Sequence, residues 1–350
     1  MCIRDRYHFD PESHRWAKWF SIKDGWYKHS DIIHTLAPDG IGTKTILHDT
    51  LSQHGNGADD MTAMVADDIA RYWGVCWALT SILELPTLKK DDTEIQEYHQ
   101  LITRIGQIAK EQNFVILNGE TAETGACVGT TIPFEAKPFN RSGVMYGLFH
   151  KDLMISSKNV QAGDILVALG QEGFRSNGIS AVRKWFELKY GPNRYKDAPR
   201  EEILQAAAPS VIYANAIADA NGRYNGWQKQ VDITGIAHLS WWSFKGKLLE
   251  GMLGKNNLSA HFDNLFPIPE IAKKVALRTK NDPNRWMKDV SELYATRCGG
   301  QGEIVALRNK KHAEKFIEIM KKHGIDARIA GKVVETQENE APSITIENIR

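Results

Sequence analysis

Four cysteines in 350 residues are too few and too scattered to staple a fold. Cys2, Cys76, Cys127 and Cys298 show neither metal-knuckle nor redox spacing, so reduced thiols and a cytoplasmic setting are expected. No apolar run approaches the ~20 residues of a membrane span. The N-terminal residues are rich in charge and aromatics, which is not the pattern of a secretory leader. An excess of one charge is missing as well: 44 basic against 43 acidic residues leave a formal net charge of +1. That balance gives no global attraction to nucleic acid or to an anionic membrane, so neither is expected as a partner. There is no G-x-x-x-x-G-K-[ST] loop, and any nucleotide site is therefore of another type. Internal repeats and low-complexity segments are absent too.

What is present is an ordinary globular composition, 42% hydrophobic and 25% charged, in a chain long enough for two cores. Residues 1–6, Met-Cys-Ile-Arg-Asp-Arg, look unlike the start of a folded domain and read as extraneous sequence, similar to a translated sequencing adapter. Residues 7–30 are aromatic and basic without a clear period, so 1–30 is set apart as an atypical N-terminal segment.

Three acidic segments follow in order. The first is Ala37 to Lys44, where Asp39 stands between a proline and Gly40 and Gly42. Glycines there let the backbone turn tightly and approach a ligand. Asp39 suits a hard cation, and Lys44 suits phosphate charge; a purely structural turn has the same composition. The second is Asp67-Asp68, inside a helix expected over 60–80. Met61, Met64, Val65, Tyr72, Cys76 and Leu79 recur at helical spacing, with Asp68 on that stripe and Asp67 off it. A carboxylate on a buried stripe is either a metal ligand or half of a salt bridge or cap. The third is Asn118 to Glu123, leaving the strand Phe114 to Leu117. Its Glu120 either meets a cation or, with Glu123, caps a helix. Residues 31–38 and 143–149 read as strands, and 94–110 as a helix with Ile95, Tyr98, Ile102, Ile105 and Ala109 on one face.

Composition changes over 150–163, where the boundary between domains 31–155 and 156–335 is expected. Asp164 to Leu169 is a strand, Gln171 to Gly178 a glycine-rich loop, and a helix begins near Ile179. That order aims free backbone N–H groups at an anion, with Arg175, Ser176 and Asn177 as further donors; a plain connecting loop is the alternative. Asp232 to His238 reads as a polar turn, and Trp241 and Trp242 as packing residues. Cys298 to Gly302 leads into the strand Ile304 to Leu307, then a helix at 311–323, a strand at 325–334 and a polar tail at 336–350. The closing β-α-β implies a sheet covered by helices.

These segments resemble the aminoimidazole ribonucleotide synthetase (phosphoribosylformylglycinamidine cyclo-ligase) family. Its pattern is approximately T-D-G-V-G-T-K, D-L-V-A-M-x-x-N-D, G-G-E-T-A-E and S-N-G-Y-S-x-x-R. Here the counterparts are Pro38 to Lys44, Asp60 to Asp68, Asn118 to Glu123 and Ser176 to Arg183, with Ala208-Pro209-Ser210 and Tyr213 similar to a T-P-T-x-x-Y segment. The resemblance covers about residues 31–335. It implies an α+β, two-domain fold, an N-terminal sheet domain that pairs in a homodimer, and a C-terminal sheet covered by helices. It implies an ATP-dependent ligase of purine biosynthesis that closes formylglycinamidine ribonucleotide to aminoimidazole ribonucleotide. By the same resemblance Asp39, Asp68 and Glu120 hold Mg²⁺ on the ATP phosphates, and Lys44 neutralises phosphate charge. Gly40, Gly42, Thr43, Asn118 and Gly119 lie along the nucleotide, while Arg175, Ser176, Asn177 and Gly178 hold the substrate phosphate.

The chain departs from the pattern at several points. Residues 7–30 offer Lys18, Lys23 and Lys28 but no glycine-rich run; Arg175 stands where histidine is common, and Asn118 replaces a glycine. H-I-T-G-G-G becomes Asp232 to Ala237, losing two glycines. Sibling enzymes share the architecture: selenophosphate synthetase, thiamine-monophosphate kinase, a hydrogenase maturation factor and the amidotransferase one step earlier. E-T-A-E favours the cyclo-ligase over these siblings; a non-catalytic paralogue that keeps fold and dimer is the other alternative.

Overall fold

The computed structural model describes residues 7–9, 20–22, 32–88, 92–127, 129, 139–240, 243–279 and 300–347. The expectations for residues 1–6, Lys18, Lys23, Lys28, Trp241, Trp242, Cys298 and Gly299 lie outside the described residues. Two short strands, β1 (Tyr7–Phe9) and β2 (Phe20–Ile22), pair antiparallel. The rest is built on two sheets.

The first sheet has the order β3-β6-β4-β5, with β3 Ile32–Gly40, β4 Val75–Leu85, β5 Val115–Glu123 and β6 Asn140–His150. β4 and β5 are parallel, which requires a crossover, and helix α3 (Asp92–Glu111) supplies it. A short helix α1 (Thr45–Thr50) follows β3, and α2 (Asn56–Ala70) then lies across the sheet. Cross-strand partners Asp39, Gly143, Ser81 and Gly119 form one row on the face that carries Ala37, Met145 and Leu79 toward α2. The next row, Gly40, Ser142, Ile82 and Glu120, points to the other face.

Several boundaries differ from expectation. The helix expected over 60–80 ends at Ala70, and the same apolar run continues as β4. Trp73 takes a positive φ of 65°. Gly74 is forced, since a Cβ there would lie 2.5 Å from Phe149. Both elements are buried nearly all round, so hydrophobic spacing did not separate them. In α3 the buried face is Tyr98, Leu101, Ile105 and Ile108, while Ile95 and Ile102 face outward.

The second sheet has the order β12-β9-β11-β7-β10-β8, from β7 (Ile165–Gly170), β8 (Ile233–His238), β9 (Leu258–Phe262), β10 (Gln301–Leu307), β11 (Ala327–Glu335) and β12 (Ile344–Ile346). The segment expected to be a polar turn is β8, buried at every position. The expected polar tail contributes β12, parallel to β9. Along β7, Leu166 and Ala168 face one core with α4 (Ile179–Tyr190), while Val167 and Leu169 face the other. That second core also holds α7 (Ala214–Ala220, which follows the short α5 Arg194–Asp197 and α6 Arg200–Ala206), α9 (Lys310–Lys322, which follows α8 Glu270–Thr279) and the apolar side of α2. It is continuous with the core of the first sheet, so α2 is packed on both sides. Gly302 in β10 is required by packing, because a Cβ there would meet the Tyr213 hydroxyl at 2.1 Å.

Candidate functional site

Helix α2 carries three carboxylates into the seam between the sheets, and each has a different setting. Asp60 is fully buried. It accepts from Lys44 Nζ at 2.9 Å, His48 Nε2 at 2.7 Å, and the Ser210 backbone N–H at 3.0 Å and hydroxyl. Burial pushes its carboxyl up, but Lys44 and His48 outweigh that and hold it at about 2. Lys44 is itself fully buried, and donates also to Phe174 O at 2.7 Å and Ala208 O at 2.6 Å. All three ammonium donors are engaged inside the protein, so the phosphate-neutralising role expected for Lys44 does not fit its placement. It fastens the first half of the chain to the second.

Asp67 is the second fastening. It is fully buried and accepts from Arg175 Nη2 at 2.7 Å and from the Tyr213 and Ala214 backbone N–H groups. Burial raises its carboxyl above the ordinary range despite Arg175. Arg175 also donates to Val211 O at 3.0 Å. Arg175 was expected on the substrate phosphate; it is 1% exposed and pairs with Asp67 instead. The stripe assignment of the Asp67-Asp68 pair is likewise reversed. Asp67 is the interior residue because α2 is covered by α7 and the loop before α4 as well as by the sheet.

Asp68 opens to solvent, its side chain 38% exposed. His238, at the end of β8 and 1% exposed, donates from Nδ1 to Asp68 Oδ1 at 3.1 Å. Burial raises the Asp68 carboxyl, and the bond and charge of His238, then Lys247, bring it below the ordinary range. Asp39 shares this neighbourhood at the end of β3 and bonds the Gly40 N–H at 2.7 Å. Loss of water raises the Asp39 carboxyl, and Asp68 adds to the rise, while His238 and Lys247 oppose it. Asp39 and Asp68 are therefore electrostatic neighbours. Glu120 does not join them within one chain: it lies on the opposite sheet face, three strand spacings or about 14 Å across. Among the described residues no group of three His, Cys, Asp or Glu side chains is arranged for a metal ion.

The remaining expected residues are spread over both halves of the chain. Ser176 Oγ is buried without a hydrogen-bond partner. Asn177 Nδ2 lies 3.3 Å from Met64 Sδ. Gly178, at φ 82°, starts α4 with no side-chain cap, which leaves first-turn N–H groups for an anion. Gly42 has φ 57° and, with Thr43 and Lys44, forms a 3₁₀ turn after β3. The Asn118 side chain accepts from the Gly119 N–H at 2.8 Å. A cavity of about 850 Å³ behind Gln171 to Gly173 contains neither Asp39 nor Asp68.

Sequence reasoning missed His238, Lys247 and Glu303. The available signal was a polar side chain ending each of two apolar strands. Glu303 is the strand partner of His238, and its two oxygens are buried without a partner among the described residues. Burial and the nearby Asp67 raise its carboxyl well above the ordinary range, against Arg175. A raised carboxyl carries no penalty below the unfolded value near 4.5, and stability falls as pH rises toward the folded value. Glu303→Gln should therefore match the wild type near pH 4 and outlast it at pH 7, by about 1.4 kcal/mol for each pH unit between the two values. Melting curves across that range check this; a difference independent of pH would refute it.

The family model for AIR synthase related protein, C-terminal domain, matches residues 161–342. Phosphoribosylformylglycinamidine cyclo-ligase of Methanocaldococcus jannaschii is 28% identical over 325 residues, covering 90% of this chain and 82% of that protein. The protein of the same name from Alkaliphilus metalliredigens is 23% identical over 299 residues, covering 85% and 78%. Thiamine-monophosphate kinase from Stenotrophomonas maltophilia K279a has the same fold at a TM-score of 0.56, with 12% identity over 97% of this chain and 92% of that one. Thermotoga maritima PurL complexed with ADP gives 0.51 at 14% identity, over 87% of this chain and 40% of that one.

Proposed function

The chain belongs to the AIR synthase related family, and from that premise we propose that it is an ATP-dependent cyclo-ligase closing formylglycinamidine ribonucleotide to aminoimidazole ribonucleotide. The observation that carries the reading is Asp68, open to solvent and held by His238, with Asp39 as its electrostatic neighbour and with Asn177, beside the uncapped start of α4, meeting Met64 one turn before Asp68 on α2. Ring closure asks for phosphate placement and charge neutralisation more than for a strong acid or base. Asp39 and Asp68 suit Mg²⁺, which commonly takes one or two carboxylates and completes its shell with phosphate oxygens and water. When bound, the ion would polarise the transferring phosphoryl group. His238 holds Asp68 in orientation from the end of β8. Ser176, Asn177 and the α4 N-terminus would hold the ribonucleotide phosphate, with Arg175 acting beneath them through Asp67.

The outer face of the first sheet supports a homodimer. Leu36 is 65% exposed and Ile82 46%, beside Pro38, Thr80 and Val144. A second copy would cover this apolar face, from which Glu120 also projects. Purified protein given the ribonucleotide and Mg·ATP should release ADP in step with aminoimidazole ribonucleotide, and should sediment as a dimer at micromolar concentration. ADP release with thiamine monophosphate in place of the ribonucleotide would transfer the reading to the sibling kinase; nucleotide binding without turnover of either would make it a non-catalytic paralogue. Cytoplasmic location is part of the proposal; among the described residues no helix is long and apolar enough to cross a membrane.

A further inference from the structure

Arg141, near the start of β6, is a buried cation without a counter-charge among the described residues. It is 4% exposed. Its Nη2 donates to Ser81 Oγ at 3.1 Å, while Nε and Nη1 are buried with no partner. Burial alone pushes its guanidinium down to about 10, with no carboxylate opposing. Arg175 and Arg104 show the contrast: Asp67 answers the first, Asp59 and Glu111 the second. A guanidinium removed from water is costly unless acceptors replace the water.

Strand register says where such acceptors would sit. Arg141 is paired with Leu83, yet Nη2 reaches Ser81, two residues back along β4. The guanidinium thus turns toward the row of Asp39, Gly143, Ser81 and Gly119. Gly119 is exposed, and a side chain built there would meet nothing nearer than Ser81 O at 3.5 Å. Among the described residues, chain neighbours aside, only Ser81 lies within 4 Å of that position. Because Ser81 Oγ already accepts from Arg141, its O–H proton is left to donate outward.

We infer that Arg141 and Ser81 form an oxyanion-binding pair that takes a phosphate group at the Gly119 opening. A planar guanidinium with two unused nitrogens matches phosphate oxygens better than a point charge would. The source of the phosphate rests on the nucleotide reading above: Arg141 supplies to the ATP phosphate chain the charge that enclosed Lys44 cannot. Free polyphosphate is the other source of the same chemistry.

Calorimetric titration of the full chain with ATP, adenosine and tripolyphosphate separates these. Arg141→Met should lose at least tenfold in affinity for ATP and tripolyphosphate, Ser81→Ala roughly three- to fivefold, with adenosine unchanged in both. Without ligand, Arg141→Met should melt no lower than the wild type, because an uncompensated charge has gone. Tripolyphosphate should raise the wild-type melting temperature. Equal tripolyphosphate affinity in wild type and Arg141→Met overturns the inference, and so does a wild type that tripolyphosphate fails to stabilise, a result available even if the variant does not fold. Arg141-dependent tripolyphosphate binding without ATP binding keeps the anion site and removes the nucleotide reading. Unchanged ATP affinity and turnover in Arg141→Met does the reverse.

Discussion

Asp60→Asn should cost the protein about 3–5 kcal/mol of stability, because it leaves the Lys44 ammonium buried without a counter-charge. The carboxylate gathers Lys44 and His48 from the turn and helix after β3, and Ser210 from the far half of the chain. The neutral amide keeps the volume and loses the charge, and its N–H donors must face either the three donors that meet Oδ1 or His48 Nε2 at Oδ2. Chemical denaturation of the wild type, Asp60→Asn, Lys44→Met and the double variant measures the coupling. The double variant should recover part of the single-variant loss, since no unpaired charge then remains. A loss below about 1 kcal/mol in Asp60→Asn would mean that the two carbonyls of Phe174 and Ala208 suffice to hold Lys44. The pH signature is separate. The folded value of about 2 lies below the unfolded 3.8, so this contribution is complete above pH 3.8 and is lost as pH falls through 2. The interval is worth roughly 2 kcal/mol.

The same cluster shows how far the sequence was legible. Strand-like and helix-like runs separated by glycine and proline gave three of the four strands of the first sheet and three of the six of the second, and four ordered motifs gave the family. What the sequence did not disclose was which side of α2 meets solvent. A helix against one sheet has a polar stripe that marks its outside. Here α7 and the loop of Phe174 and Arg175 cover that side too, so the stripe carries buried Asp60 and Asp67 instead of exposed side chains. Periodicity therefore placed Asp68 inside and Asp67 outside, the reverse of the packing. Lys44 was misread for a related reason: a lysine in a glycine turn looks like a phosphate ligand until the partner 16 residues later and the carbonyls 130 and 164 residues later are in view. His238 lay in a segment that reads as a polar turn and Glu303 just ahead of a short apolar strand, and they are brought side by side only through the β8–β10 register.

Adjacent carboxylates on α2 should consequently give opposite phenotypes when neutralised. Asp68→Asn should lower substrate-dependent ADP release by about two to four orders of magnitude, the range typical of lost phosphate-site electrostatics, and move the melting temperature little. Asp68 is partly solvated, its Arg71 contact is 4.0 Å, and the replacement amide oxygen can still accept from His238 Nδ1; exposed pairs of this kind contribute up to about 1 kcal/mol. Asp67→Asn should do the converse. It strips the counter-charge from fully enclosed Arg175 and should destabilise by several kcal/mol. Whatever folded protein remains should keep much of its rate, because Asp67 faces Arg175, Tyr213 and Ala214 and not solvent. Melting curves and ADP release measured on both variants decide it. If Asp68→Asn retained full turnover, the carboxylate would be a surface partner of His238 and the metal would have to be sought at Asp39 alone. If Asp67→Asn abolished turnover at unchanged stability, the buried pair with Arg175 would belong to the chemistry and not to the seam that holds the two sheets together.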